Sequence, residues 1–416
     1  MSNLVPEGWS YNPLSLLADV DKDSLKTSTD PDYRFRYIDI ASVSTGQVKL
    51  PSEYIKFSDA PSRARRKLQQ GDVLMSTVRP NLKAFAYFDV SETDFVASTG
   101  FSVIRAKNGN DGRFIFNAIL GDDISSQIDS LVVGSNYPAI NSSDVKNLEV
   151  LTPSPAEQQK IAKILTSVDE VIDKTQAQID KLKDLKTGMM QELLTKGVGV
   201  DGKPHTEFKD SPVGRIPKAW QVKKIGNLFD VQLGKMLSKA AKVSDTPLPY
   251  LGNKNVQWGR FDLTTLETMD FSEKEREKFS LRSGDLLMCE GGDVGRCAIW
   301  ESKLTGCYYQ KALHRLRPIN KSYEPFLLME YMKFAKDRGL LTDYVSQTSI
   351  AHLTREKLVS ISVPVPSKHE QHKIVATLKT ATTKLDIAYQ KLCKFNELKR
   401  ALMQDLLTGK VRVTID

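Results

Sequence analysis

Apolar residues recur at steps of four and three in two stretches of this chain. In the first stretch Ile161, Leu165, Val168, Ile172, Thr175, Ile179, Leu182, Met189 and Leu193 form a seam of period 3.5. In the second, Ile374, Leu378, Ala381, Leu385, Ala388, Leu392, Phe395, Leu402 and Leu406 fill the equivalent slots. Both seams are interrupted at the same place, by Lys186 and by Lys399. Residues 156–195 hold no proline and only Gly188, and residues 368–408 hold neither residue type. A repeat of 3.5 predicts two long helices of coiled-coil character. At 1.5 Å per residue, about 34 residues make a rod of roughly 50 Å. The starts "TPSPAEQQ" and "PVPSKHEQ" place Pro and Ser ahead of an acidic first turn, a helix-start signature.

Elsewhere the pattern changes. Residues 1–151 and about 215–363 show short apolar runs such as "GDVLM" and "ISVPVP", with turns rich in Gly, Pro, Asn and Ser. One helical stretch, "EPFLLMEYMKFAKD", lies in the second of these parts. This texture predicts α+β heads with irregular sheets.

The two halves are copies of one unit. "EQQKIAKIL" from Glu157 answers "EQHKIVATL" from Glu370, 213 residues later. At the same offset "QELLTKGVGV" answers "QDLLTGKVRV", and "GDVLMS" from Gly71 answers "GDLLMC" from Gly284. "VPEGW" answers "IPKAW" at an offset of 211. The expected organisation is therefore a head over 1–152, a helix over 153–197, a linker over 198–214, a head over 215–364, and a helix with a tail over 365–416. The first helix carries the chain from head one to head two. If the second pairs with it, it returns antiparallel, and an internal pseudo-two-fold repeat results.

Charge refines this picture. The chain of 416 residues carries a net +8, but the first 151 residues hold 16 Lys+Arg against 19 Asp+Glu. A head-one contact with nucleic acid must then rest on local clusters such as "RARRK", with Arg63, Arg65, Arg66 and Lys67. No apolar run approaches a membrane span, and the start lacks the signature of a secretory leader. The four cysteines (Cys289, Cys297, Cys307 and Cys393) form no CxxC pair and read as buried free thiols of a reducing cytoplasm.

The search for catalytic chemistry finds none. "GVGVDGK" has phosphate-loop spacing, but Pro204 stands where Ser or Thr is required, and a helix rather than a strand precedes it. "NYPAI" from Asn136 lacks the second Pro and terminal aromatic of the adenine-methyltransferase motif. The five histidines show no metal spacing.

The doubled "EQ-x-KI" starts, the "LLTKG" and "LLTGK-x-RV" ends, the "IPKAW" re-entry and the "GD-x-LM" strands resemble the specificity subunit of type I restriction–modification enzymes. The resemblance spans essentially the whole chain. It implies two target recognition domains, each reading half of a bipartite site in double-stranded DNA, spaced by two antiparallel helices. It also implies a non-catalytic, cytoplasmic chain with no cofactor of its own. Two modification subunits would bring S-adenosylmethionine for adenine N6 methylation, and restriction subunits, where present, ATP and Mg. The other reading of the bare sequence is a bivalent scaffold whose heads grip proteins.

The polar loops after the "GD-x-LM" strands are the candidate readers. Head one offers Ser76, Thr77, Arg79 (suited to guanine), Asn81 (adenine) and Lys83 (phosphate). Head two offers Glu290 (cytosine), Gly292 for close approach, and Arg296 (guanine or phosphate). A second pair of loops adds Ser135, Asn136 and Tyr137 in head one and Ser346, Gln347 and Thr348 in head two. "GNKNVQWGR" contributes Lys254, Asn255, Gln257 and Arg260. Each of these residues also fits an ordinary surface turn. Trp9 and Trp220 are expected in the cores.

Helix length should set the spacing of the two half-sites. Inserting four residues between Asp184 and Leu185 adds about 6 Å and turns the helix by roughly 400°. A matching insertion is needed near Glu397 to keep the seams in register. At about 3.4 Å per base pair, the preferred spacer in a selected pool of duplexes should grow by one or two base pairs. A folded, DNA-binding variant that keeps the original spacing would refute this.

Overall fold

The computed structural model describes residues 5–107, 109–132, 138–199, 201–237, 247–302, 304–344 and 352–415. The chain packs as two compact units, Met1–Ala177 with Tyr389–Asp416, and Gln178–Ala388. Two long helices, Pro155–Thr195 and Lys368–Leu407, contribute one end to each unit.

Within unit one the main sheet has the strand order Ala18–Val20, Phe101–Ala106, Asp72–Ser76, Phe85–Phe88, all antiparallel. Within unit two the order Phe229–Leu233, Leu313–Pro318, Leu286–Cys289, Cys297–Ile299 repeats it. Registers agree as well: Met75 faces Ser102, and Met288 faces His314. Each head adds a second small sheet with a parallel pair, Arg34–Ile38 with Phe95–Ser98 and Leu248–Leu251 with Tyr308–Tyr309.

The repeated "GD" has a physical cause. Gly71 and Gly284 turn into the strand at φ +95 and +92, a region that favours glycine. The following Asp72 and Asp285 are buried, where a lone carboxylate is costly. Each is met by a two-pronged arginine from the neighbouring strand. Arg105 reaches Asp72 at 2.7 and 2.8 Å, and Arg317 reaches Asp285 at 2.7 and 2.7 Å. Each carboxylate also accepts a turn N–H, from Gln69 and from Arg282.

The long helices join their units by a common device. In unit one Ile161 and Leu165 pack in the head core with Leu402 and Leu406 from the end of the second helix. In unit two Ile374 and Leu378 pack with Met190 and Leu194 from the end of the first. The start of one helix thus lies against the end of the other in each unit, an antiparallel pairing. Gln158 and Gln371 fasten the starts. Each donates to the carbonyl of the proline five residues earlier and accepts a head N–H, from Asp111 and from Glu324. Glu157 and Glu370 are buried beside Trp9 and Trp220, which are themselves buried. Glu370 accepts from Trp220 Nε1 at 2.9 Å and Val198 N at 2.9 Å, and lies 3.0 Å from His205 Nε2. Glu157 is held by Arg412 at 2.7 Å, whose guanidinium also donates to the Glu7 carbonyl. The helix-ending glycines serve the same contacts. Gly197 and Gly409 sit at φ +65 and +68, where a Cβ would strike Trp220 and Glu370 in one case and Pro6 in the other.

Among the described residues, no helix is long and apolar enough to cross a membrane. Three cysteines are buried, but Cys393 is exposed, contrary to the expectation for all four, because its slot on the second helix faces away from the seam. Burial pushes the thiols of Cys289, Cys297 and Cys307 up, that of Cys307 to about 11.

Burial pushes the Glu157 carboxyl up, but the Arg412 hydrogen bonds and charge, with Ser154, more than offset it. Its folded pKa therefore lies below the ordinary 4.5. The clasp stabilises unit one above that value and loses this contribution as pH falls through the folded pKa. Arg412→Ala should lower stability at pH 7 by about 1–3 kcal/mol and flatten the loss below pH 5. Urea unfolding against pH checks this; an unchanged acid limb would count against it.

Candidate nucleic-acid interface

At one edge of each head, backbone hydrogen bonds gather several loops into a row. In head one Thr99 N donates to Arg63 O at 2.8 Å, Thr77 N to Gly100 O at 2.9 Å, Ile140 N to Thr77 O at 3.0 Å, and Arg79 N to Pro138 O at 2.8 Å. In head two Lys311 N donates to Lys235 O at 2.8 Å, Glu290 N to Ala312 O at 2.9 Å, and Leu353 N to Glu290 O at 2.7 Å. Isolated bridges join Val78 to Ala139 and Gly291 to His352, 213 residues apart. The loop after each "GD-x-LM" strand therefore meets the described end of the second loop, residues 138–140 in head one and 352–353 in head two, through matching bonds at Thr77 and Glu290.

Several side chains chosen from sequence are committed to the fold instead. Ser76 is fully buried and its Oγ donates to Val78 O; Thr77 is buried and donates to Gly100 O. They end the strand rather than open the loop. Asn255 is buried, donates to Asp262 O and Thr265 O, and accepts from Gly252 N, so it ties a turn together. Lys83 donates to Leu120 O, at the end of the Gly112–Leu120 helix, where a cation meets the negative end of the helix dipole. Arg66 is drawn to Asp21 at 3.1 Å and to Ser24. Arg65 donates to Ala64 O and lies 4.7 Å over the Phe57 ring. The "RARRK" cluster is thus split by strand alternation, leaving Arg63 and Lys67 exposed.

Other candidates stand at the surface. Arg79 and Asn81 are exposed on a tight turn. Arg79 takes the left-handed conformation at φ +50, which costs a non-glycine residue about 1–2 kcal/mol. Arg260 and Gly292 are exposed, Gln257 is half-buried with its amide on Lys254 O, and Lys254 is exposed but paired with Glu267 at 2.8 Å. Glu290 and Arg296 are half-buried. Arg296 is fixed rather than free: its Nη2 donates to Asn253 O at 3.0 Å and Oδ1 at 2.9 Å, while Asn253 Nδ2 donates to Gly291 O at 3.1 Å. Ser135, Asn136, Tyr137, Ser346, Gln347 and Thr348 lie outside the described residues.

Two exposed residues of this edge escaped the sequence reading, Thr99 and Lys311. They sit on matching turns, "STG" and "QKA", just ahead of equivalent strands. The signal was their place in the repeat, because neither residue type stands out alone.

The model of the type I restriction modification DNA specificity domain matches this chain twice, over residues 17–184 and 217–396. The chain belongs to this family. Its heads are DNA specificity domains, and the protein-gripping scaffold is set aside. The chain is 28% identical over 299 residues to the MjaVIII specificity subunit of Methanocaldococcus jannaschii, covering 69% of this chain and 68% of that one. It is 24% identical to the putative MjaX specificity subunit of the same organism, covering 98% and 95%. The EcoKI specificity subunit of Escherichia coli K12 is 22% identical, covering 98% and 90%. In fold it is similar to a chain from a structural study of assembly and conformational transition in a type I R-M system, with TM-score 0.61, 23% identity, and 98% and 100% coverage. It is also similar to the S subunit from M. genitalium, with TM-score 0.59, 17% identity, and 96% coverage of each.

The geometry separates two kinds of substitution in this specificity chain. Asn255→Ala should cost about 1–3 kcal/mol of stability by orphaning buried backbone groups. Arg79→Ala, at an exposed turn position whose left-handed strain alanine retains, should cost less stability than that and weaken DNA binding. Thermal melts beside duplex-binding titrations distinguish them; equal loss of stability in both would refute the assignment.

Proposed function

We propose that each head reads one half of a bipartite, asymmetric DNA site, and that the chain directs partner subunits to it. The observation that carries this reading is the doubled loop edge, joined by matching backbone bonds at Thr77 and Glu290 but furnished with different side chains. Arg63, Thr99, Arg79 and Asn81 stand in head one, and Lys311, Glu290, Gly292 and Arg296 in head two. Equivalent scaffolds with unlike readers suit an asymmetric site. Linking two weak half-site contacts raises their effective concentration into one tight contact.

The partners proposed are two modification subunits carrying S-adenosylmethionine for adenine N6 methylation. Restriction subunits using ATP and Mg join them in a restricting system. A recurring groove supports paired docking. In unit one a cavity of about 500 Å³ is lined by Lys399, Met403 and Gln404 with Leu120 and Ile124. In unit two one of about 250 Å³ is lined by the equivalent Lys186, Met190 and Gln191 with Lys333 and Phe334. The "MQ" shared by both helix ends thus faces a groove each time. Catalysis resides in the partners, and the complex works in the cytoplasm, where the DNA is.

The purified chain alone should show no methylation, cleavage or ATP hydrolysis. Its affinity for random duplex should fall steeply with salt, since phosphate contacts release counterions. Arg79→Ala and Arg296→Ala should each relax one position in separate half-sites, at about 1–3 kcal/mol. Uniform weakening on every sequence would make both residues phosphate contacts. A flat salt response would overturn DNA recognition.

A further inference from the structure

His314 is fully buried on the Leu313–Pro318 strand, directly opposite Met288. Its Nε2 lies 3.0 Å from the Leu353 carbonyl oxygen. A carbonyl can only accept, so the ring carries its proton on Nε2. Nδ1 is buried with no hydrogen-bond partner among the described residues. Burial disfavours a second proton and holds the ring below its ordinary pKa, which keeps it neutral.

From Leu353 the bonds lead straight to the candidate readers. Leu353 N donates to Glu290 O at 2.7 Å, and Glu290 N donates to Ala312 O at 2.9 Å. The adjacent Gly291 accepts from Asn253, which in turn holds Arg296. His314 is thus the side chain that ties the sheet to the backbone on which Glu290 and Arg296 are mounted. Head one has the matching bonds, Thr77 with Gly100 and with Ile140, but a different side chain at the His314 position. The counterpart of His314 is Ser102, which faces Met75 and turns its hydroxyl to Asp21.

We infer that His314 is a positioning residue for DNA reading by head two, through the Leu353–Glu290–Gly291 backbone, and that head one does without such a residue. The inference rests on the reading of the heads as half-site readers. It explains why a polar ring with one unpartnered nitrogen is kept where a methionine or leucine would pack at lower cost. The carbonyl of Leu353 is buried and needs a donor.

Two measurements test it on the full-length chain. The first needs no DNA: hydrogen exchange at the Leu353 amide. His314→Leu removes the donor and should speed that exchange about tenfold or more, as expected when a buried carbonyl loses its partner. His314→Gln, whose amide can stand in for Nε2–H, should restore most of the protection. The second is selection of duplexes from a randomised pool. His314→Leu should blur one half-site by about tenfold in preference and leave the other sharp. His314→Gln should recover it, and Ser102→Ala should leave both half-sites unchanged.

Unchanged exchange at Leu353 in His314→Leu overturns the tie itself. Equal blurring of both half-sites, or identical behaviour of the Leu and Gln variants, reduces His314 to a packing residue and overturns the inference. If exchange responds as expected but the unaltered chain selects no sequence at all, the half-site reading fails, and positioning for DNA reading fails with it.

Discussion

The buried glutamate at the start of each long helix is the interaction on which the other features rest. A carboxylate taken out of water must be paired and hydrogen-bonded. In each unit its donors come from chain segments far apart in sequence. Glu370 gathers Trp220, Val198 and His205, and Glu157 gathers Arg412. The adjacent glutamine bonds the same helix to the head. Each head is thereby oriented on its helix, and only then can the seam residues meet the helix end that returns beside them.

A second polar position shows how duplication and divergence coexist. Lys186 and Lys399 fill the same interrupted slot of the two seams, and both are half-buried. Their acids come from different places. Lys186 meets Glu330 of the head at 3.0 Å, and Lys399 meets Asp169 of the facing long helix at 2.6 Å. The repeat equivalents of those acids are Asn117 and Thr382, neither charged. Each copy keeps one carboxylate in reach of the lysine, because an unpaired ammonium there would cost more than the pair contributes. What persisted is the charge balance, not the residue.

The reading edge follows the opposite rule. Its central backbone bonds match between copies, Thr77 with Gly100 and Ile140 in one head and Glu290 with Ala312 and Leu353 in the other, while its side chains differ. The scaffold is under geometric constraint: the strand after the "GD" turn and the loop across from it must close the sheet in both heads. The exposed residues mounted on it lie outside the packed sheet, where side chains can diverge without disturbing its bonds. Arg296 lies between the two cases, held by Asn253 yet part of the surface, which suits a preorganised contact more than a flexible one.

The sequence by itself determined the repeat, the α+β heads, the antiparallel long helices and their polar interruption. These follow from local periodicity, capping and an offset that any pairing must respect. It also marked the loops that assemble at each edge. Which side chains of those loops face outward was decided by the tertiary structure. Ser76, Thr77 and Asn255 look like readers in a line of text, but the sheet needs their hydroxyls and amide to satisfy buried backbone groups. Lys83 and Arg66 are drawn to a helix end and to Asp21, partners 37 and 45 residues away. His314 gave no signal beyond being a lone histidine in an apolar strand, and its meaning depends on a carbonyl 39 residues later. Hydrogen-bond satisfaction is a long-range accounting, closed only when the chain has folded, so a residue's type announces what it can do but not what it is spent on.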